Sequence, residues 1–377
     1  MKTVSSDVQG ELRICFYTDT FFPRQGGAQV VLHHLATELT KLGAQVVVLA
    51  PHFKGDTICD DEYEYRVVRF KAPGSKKIGN RMVLLDLFRL YRSFKFDLLH
   101  CHAAYPQAFV ARSFKRLVDI PVVCRPHGND IVPEGGIRKS RYAERRLILG
   151  MESVDIFVAQ GAYMKSVLIE LGAPERKIVV INNGVDDNIL TTSPSMTAGC
   201  GDYALAMGRL SSVKGFDNLI RAIAKTSDSK ITLKIAGDGP DSKLLGALVR
   251  QLGLNERVEL LGHISGEEKV SLLKGARLFI NSSRKEAYSN AIVEAIALHI
   301  PVIATEVGGN REIIEHGVTG LTYSVEDTDQ LAYAISVLWH DGDLRKSLAE
   351  KAYSRVHPSS WRNIATQYEK IYRLLTG

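Results

Sequence analysis

The chain of 377 residues holds no apolar run long enough to cross a bilayer; stretches such as Val46-Val-Val-Leu-Ala50 are strand-length. Its first ten residues, Met1 to Gly10, are polar and carry no apolar signal core, so export is not expected. Five cysteines, odd in number and scattered, make no disulfide framework and fit a reducing, cytoplasmic setting. No internal repeat or low-complexity tract occurs. Charge of neither sign dominates: the formal +6 permits anionic ligands or an anionic membrane surface and does not call for nucleic acid. What remains is a soluble globular composition, at a length that suits two α/β domains of similar size.

One stretch organises the rest. Arg277-Leu-Phe-Ile-Asn281 reads as a short buried strand, Ala291 to Leu298 as a helix, and Pro301-Val-Ile-Ala-Thr305 as the next strand. This βαβ unit puts Glu286-Ala-Tyr-Ser-Asn-Ala-Ile-Val-Glu294 at the carboxyl end of a parallel strand, where open α/β sheets bind ligands. Glu286 supplies an acid to the loop. The first N–H groups of the helix, near Ser289, Asn290 and Ala291, favour an anion such as phosphate. One turn further in, the carboxylate of Glu294 can accept hydrogen bonds from vicinal hydroxyls. A phosphate site beside a hydroxyl clamp describes a sugar-nucleotide pocket.

Taken in order, the chain opens with a strand at Leu12–Tyr17, a loop to Gly26-Gly27, a helix over 28–42 stopped by Gly43, and a strand at Gln45–Ala50. That is half of a doubly wound domain. Strands at Tyr65–Phe70, Leu98–Cys101, Val122–Arg125, Val154–Ala159 and Ile178–Ile181 complete the first sheet. In His100-Cys101-His102, strand alternation turns both imidazoles to one face and the thiol to the other. No second cluster with ligand spacing accompanies them, so structural zinc is not expected, and His102 is a strand-end cleft residue. Arg125-Pro-His-Gly-Asn-Asp130 follows a strand directly, which places His127 to donate a hydrogen bond to a hydroxyl or to developing negative charge. Asp130 is a candidate for acceptor contact. The stretch 191–202, rich in Ser, Thr, Gly and Pro, reads as a linker between domains at 1–190 and 203–357. After the strand Tyr203–Met207, Arg209 and Lys214 stand around one turn and can converge on a diphosphate. Strands at Ile231–Ala236 and Val258–Leu261 lead into Gly237-Asp-Gly-Pro240 and Gly262-His-Ile264, and Val307-Gly-Gly-Asn opens a short helix stopped by Gly317. Helices over 327–338, 343–356 and from Pro358 to Leu375 close the chain.

Glu286 and Glu294 form an E-x7-E pair inside E-A-Y-S-N-x-x-x-E-A. With Arg209-x4-Lys214, His127-Gly-Asn-Asp130, Gly26-Gly27 and Ile181-Asn-Asn-Gly-Val-Asp186, this resembles the retaining glycosyltransferases of the GT-B fold, family 4, over about residues 12–375. The resemblance implies an α/β GT-B architecture: two doubly wound Rossmann-like domains facing each other across a cleft, with a C-terminal helix (358–377) crossing back to the first. It implies transfer of a sugar from a UDP- or GDP-sugar to a glycan or lipid-linked acceptor, with retention of configuration. It assigns Glu286 to the sugar face and His127 to the donor sugar, Arg209 and Lys214 to the diphosphate, Glu294 to the ribose, and main chain near Ile264 to the base. Gly27, Gly237, Asn290 and Ala291 join the donor side, and Asp130 and His102 the acceptor side. No Asp-x-Asp motif stands in a suitable loop, so neither a metal nor another cofactor is expected. Asn182 replaces the family's proline, Ala287 its usual glycine, and Arg24-Gln25-Gly26-Gly27 the Lys-Thr-Gly-Gly-Leu of glycogen and starch synthases. The alternatives are a GT-B relative with other chemistry, such as a nucleotide-sugar epimerase or a phosphorylase, and a non-catalytic binder.

One helix has no place in that scheme. Over Arg81–Phe96, Val83, Leu84, Leu87, Leu90, Tyr91 and Phe94 share an arc that docks it on its domain. The opposite arc sets Leu85 and Phe88 among Arg81, Arg89, Arg92 and Lys95, with Lys71, Lys76 and Lys77 in the preceding loop. A basic face holding large apolar residues is what a helix lying in a membrane interface presents; packing of Leu85 and Phe88 under the 71–80 loop is the alternative.

Overall fold

The computed structural model describes residues 10–24, 26–72, 76–191 and 201–377, with main chain alone at 76–79. Most of the linker stretch therefore lies outside the described residues. Two compact units emerge: one holds residues up to Ala159, Lys165–Asn182 and Arg362–Gly377, the other Gln160–Met164 and Asn183–Trp361.

The first unit is built on seven parallel strands, β1 (Arg13–Tyr17), β2 (Gln45–His52), β3 (Arg66–Lys71), β4 (Leu98–Cys101), β5 (Val122–Cys124), β6 (Ile156–Ala159) and β7 (Ile178–Val180). They lie in the order β3-β2-β1-β4-β5-β6-β7. The second has six, β8 (Tyr203–Met207), β9 (Leu233–Ala236), β10 (Val258–Gly262), β11 (Ala276–Asn281), β12 (Val302–Thr305) and β13 (Leu321–Tyr323), in the order β10-β9-β8-β11-β12-β13. Continuous apolar runs such as Val46 to Ala50 are buried because helices cover both faces of a parallel sheet. In each sheet the winding direction reverses beside the first strand, between β1 and β4 and between β8 and β11. Loops leaving these strands splay apart there and open the crevice that doubly wound sheets use for ligands.

Local sequence accounts for the elements. The helix Gly27–Lys41 buries Val31, Leu32, Leu35, Ala36 and Leu39 on one face, and Gly43 ends it in the left-handed region (φ +93°) with Ala44 N–H returning to Leu39. The last helix, Trp361–Thr376, turns Ile364, Ala365, Tyr368 and Tyr372 inward. From Arg362 on it belongs to the first unit, where Tyr372 Oη meets Nδ1 of His100 at 2.5 Å and Tyr368 Oη accepts from the buried Arg125.

Three expectations need correction. The final helix begins at Trp361, because Pro358-Ser-Ser360 is extended chain whose Ser359 carbonyl accepts from Val185 N–H. The basic helix runs Lys76–Phe94, so Lys76 and Lys77 are helical, Lys71 ends β3, and Lys95 leaves the helix at φ +51°. Strand β13 was not anticipated.

Candidate functional site

At the switch point of the second sheet, main chain packs on main chain. The loop after β8 turns at Gly208, and the loop after β9 lies directly on it: Leu210 N–H donates to Asp238 O at 2.9 Å. Gly237 has φ +143°, and a Cβ there would fall 1.9 Å from Gly208 O, so no other residue allows this approach. Ser212–Lys214 forms one 3-10 turn and ends at Gly215 (φ +63°), whose Cβ would meet Ser282 O at 2.1 Å. The loops after β8 and β11 are stitched together. Arg284 N–H donates to Val213 O at 2.7 Å, and Ser282 Oγ to Lys214 O at 2.8 Å. From the other side Gly308 and Gly309 press on the carbonyls of Glu286 and Ala287, with Gly309 N–H donating to Glu286 O at 3.0 Å.

This frame brings the predicted side chains of the second unit together. Lys214 folds back over Gly208, and its Nζ stands 2.6 Å from Glu286 Oε2, which also accepts from Ser283 Oγ at 3.1 Å. Arg209, on the same loop, is exposed and has no ion pair among the described residues. Ser289 caps the helix Asn290–Ala297: its Oγ accepts from Ile292 N–H at 3.4 Å and from Asn281 Nδ2 at 3.0 Å. The leading N–H groups of that helix, at Asn290 and Ala291, keep the positive end of its dipole beside the loop. Asn290 Oδ1 accepts from Asn183 Nδ2 at 2.5 Å. On the next turn Glu294, 13 % exposed, accepts from Lys269 Nζ at 2.7 Å; burial raises its pKa and the Lys269 charge partly offsets this. Ile264, half-buried, follows β10, where Gly262 O accepts from Gly237 N–H at 2.7 Å. Three cations (Lys214, Arg209 and Lys269), a helix N-terminus and two carboxylates (Glu286 and Glu294) thus share one sheet edge. They can hold an anion beside hydroxyl groups.

In the first unit the histidines form a column. Rings of His100 and His102 lie 5.8 Å apart, and those of His102 and His127 4.1 Å apart. Burial depresses all three pKa values, His102 to about 3, so the imidazoles are neutral. His102 is not a cleft surface: it is buried, and its Nε2 donates to Ala28 O at 2.8 Å. Asp130 likewise does not face outward. Its Oδ2 accepts from Ala104 N–H at 2.6 Å and its Oδ1 from His127 N–H at 3.0 Å, so it fixes the loop that carries His127. His127 is half-buried, with Nε2 unpartnered. Gly27 begins its helix in open space: a Cβ there meets nothing within 4 Å.

Sequence reading missed two residues. Arg284 forks onto Asp217 (2.8 and 2.9 Å), binds Glu326, and donates to Ser212 O at 2.5 Å, tying three loops. Lys269 holds Glu294. Both are ordinary surface residue types, and the only available signal was the adjacency of Arg284 to the Glu286 motif.

Two parallel sheets of this topology, each with loops at its switch point, define the GT-B glycosyltransferase architecture. Residues 25–189 match the model of Glycosyltransferase Family 4 and residues 200–355 that of Glycosyl transferases group 1. The chain belongs to the group 1 glycosyltransferases. Among its relatives, N-acetyl-alpha-D-glucosaminyl L-malate synthase of Bacillus anthracis is 26% identical over 374 residues, covering 94% of this chain and 95% of that protein. The fold is shared with HepE of Anabaena, solved with UDP (TM-score 0.81, 22% identity, 97% of this chain and 100% of that one). It is shared too with sucrose-phosphate synthase of Thermosynechococcus elongatus (TM-score 0.85, 18% identity, 97% and 99%).

Proposed function

We propose that this glycosyltransferase moves a hexosyl group from a UDP-sugar to a hydroxyl of a glycan or lipid-linked acceptor, with retention. The observation that carries the reading is the Lys214–Glu286 pair at 2.6 Å, held by loops that leave Arg209 and a helix N-terminus beside it. Arg209, Lys214 and the N–H groups at Asn290 and Ala291 take the diphosphate, Glu294 the ribose, Glu286 the sugar, and main chain at Ile264 the base. Gly237 sets the loop on which Arg209 stands. From the family resemblance we assign His127 to a sugar hydroxyl, with His102 and Asp130 underpinning its loop, and the open start of the helix at Gly27 to the substrate. The bond from sugar C1 to the diphosphate oxygen breaks. An acceptor oxygen bonds C1 on the same face, and its proton passes to the departing phosphate. Charge gathering on the diphosphate is met by protein groups already in place, so no metal is needed. HepE, which shares the fold, is solved with both UDP and UDP-glucose, and the uridine donor is proposed on that likeness. The test is release of nucleotide from a panel of UDP- and GDP-sugars with candidate acceptors, and the anomeric configuration of the product by NMR. An α-linked product from an α-donor supports the reading; an inverted product overturns retention.

A peripheral membrane setting fits a second observation. The helix Lys76–Phe94 buries Val83, Leu87 and Leu90, whereas Leu85 is 58% and Phe88 36% exposed; the side chains of 73–79, most of the 71–80 loop under which they would alternatively pack, lie outside the described residues. Met82 and Leu117 are exposed as well, and Arg81, Arg89, Arg92 and Lys95 are all at the surface. Among the described residues no helix is long and apolar enough to cross a membrane. Co-sedimentation with anionic vesicles, weakened by salt and by Leu85→Ser/Phe88→Ser, is expected. Wild type remaining in the supernatant at low salt excludes it.

A further inference from the structure

Lys269 lies on the helix Gly266–Lys274, an element with no other part in the site. Its side chain is 21% exposed and crosses to the helix Asn290–Ala297, where Nζ donates to Glu294 Oε1 at 2.7 Å. The structure gives that contact an unused remainder. Glu294 Oε2 accepts no hydrogen bond among the described residues, and two of the three ammonium N–H donors of Lys269 have no partner there. A bare acceptor and a bare donor therefore stand side by side on a nearly buried ion pair. Asp186, the other charged group acting on Glu294, pushes its carboxyl toward the neutral form, which leaves Lys269 as the group that favours the anion.

A hydroxyl is the group that uses both halves at once, since it donates one proton and accepts through its lone pairs. Resting on the assignment of Glu294 to the ribose, we propose that Lys269 is the other half of a ribose reader: Glu294 accepts the proton of the 2′-hydroxyl while Lys269 donates to its oxygen. A 2′-deoxynucleotide would leave the carboxylate and the ammonium without their ligand partners, and sites built on a substrate hydroxyl discriminate strongly against analogues that lack it. Lys269 is thus a specificity residue for the donor, not merely a link between helices.

The test compares UDP with 2′-deoxy-UDP, and GDP with 2′-deoxy-GDP, by titration calorimetry on the full chain as wild type, Lys269→Met, Lys269→Arg and Glu294→Gln. The readout is the affinity ratio, which does not depend on the folded fraction of a weakened variant. Wild type is expected to prefer the ribonucleotide about 10- to 100-fold, from hydrogen bonds to charged groups. Lys269→Met should bring the ratio at least about fivefold closer to one, and Lys269→Arg, which keeps a donor, should retain part of it. If Glu294→Gln lowers the ratio and Lys269→Met leaves it unchanged, the role of Lys269 falls and the ribose assignment stands. If Glu294→Gln changes nothing, or wild type shows no preference, the ribose assignment falls and the inference with it. Binding of none of the four nucleotides overturns both.

Discussion

Replacing Lys214 by alanine separates a phosphate clamp from a structural ion pair. Lys214 is 27% exposed and Glu286 12%, so their contact at 2.6 Å is partly shielded, and an arriving diphosphate must compete with it. A hydrogen bond from an ammonium to a phosphate oxygen contributes about 1.5–3 kcal/mol. Displacing the existing pair costs back about 1 kcal/mol at this exposure. The net loss in Lys214→Ala is then about 0.5–2 kcal/mol, or roughly 2- to 30-fold in UDP affinity. Uridine, which lacks phosphate, should bind both proteins alike. Turnover should suffer more, by about 3 kcal/mol, because charge on the leaving diphosphate grows in the transition state. Calorimetric titration with UDP and with uridine, together with a thermal melt, makes the measurement. The reasoning is refuted if the two ligands weaken equally, or if folded Lys214→Ala turns over like wild type.

Further outcomes follow from other contacts. Arg284→Met should cost about 1–2 kcal/mol, discounted because Asp217 and Glu326 are 39% and 55% exposed. Burial pushes the Asp217 carboxyl up, but the Arg284 hydrogen bonds and charge outweigh it, and Arg284 holds Glu326 down. Both folded values lie below the unfolded ones, so their stabilisation is present above about pH 4 and lost as pH falls through the folded values. Denaturant melts between pH 3 and 6 should show this dependence flattened in Arg284→Met. His100, His102 and His127 have folded values below the unfolded 6.5. Stability should therefore fall as pH drops below about 6.5, by up to about 1.4 kcal/mol per pH unit for each histidine, and a His102→Asn/His127→Asn variant should lose part of that slope. Transfer should survive EDTA, and an absolute requirement for added magnesium or manganese would show that protein groups do not carry the charge neutralisation.

Much of this was legible because the sequence repeats one physical device. Glycine-bearing loops between short apolar strands and amphipathic helices announce two parallel sheets, and the helix over 290–297 came within a residue of its expected bounds, since Ser289 caps it. Chemistry at loop ends was legible too: Lys214 and Glu286 are 72 residues apart in sequence and meet at 2.6 Å. Asp130 and His102 were misread because a polar residue after a strand looks the same whether it faces solvent or holds main chain. Only the pairing with Ala104 and Ala28, distant in sequence, separates the two cases. Lys269 and Arg284 escaped for the converse reason. On a helix and in a loop a lysine or arginine is ordinarily solvated, and nothing local marks the one whose partner lies on another element.

The glycines carry the last step. Gly215, Gly237, Gly308 and Gly309 each bring main chain to within about 2 Å of where a Cβ would lie, against Ser282, Gly208, Glu286 and Ala287 in turn. Their common effect is to remove side chains between loops, so that the carbonyls and N–H groups of four βα connections lock to one another. A site that must meet a diphosphate with preset charge gains from such locking, because its donors need not reorganise when charge develops. Ala287 fits this frame because the close approach needs a glycine on the opposite side: it is Gly309 that must lack a Cβ to pack on the Ala287 carbonyl, and the two carbonyl–glycine contacts hold the Glu286 loop from behind.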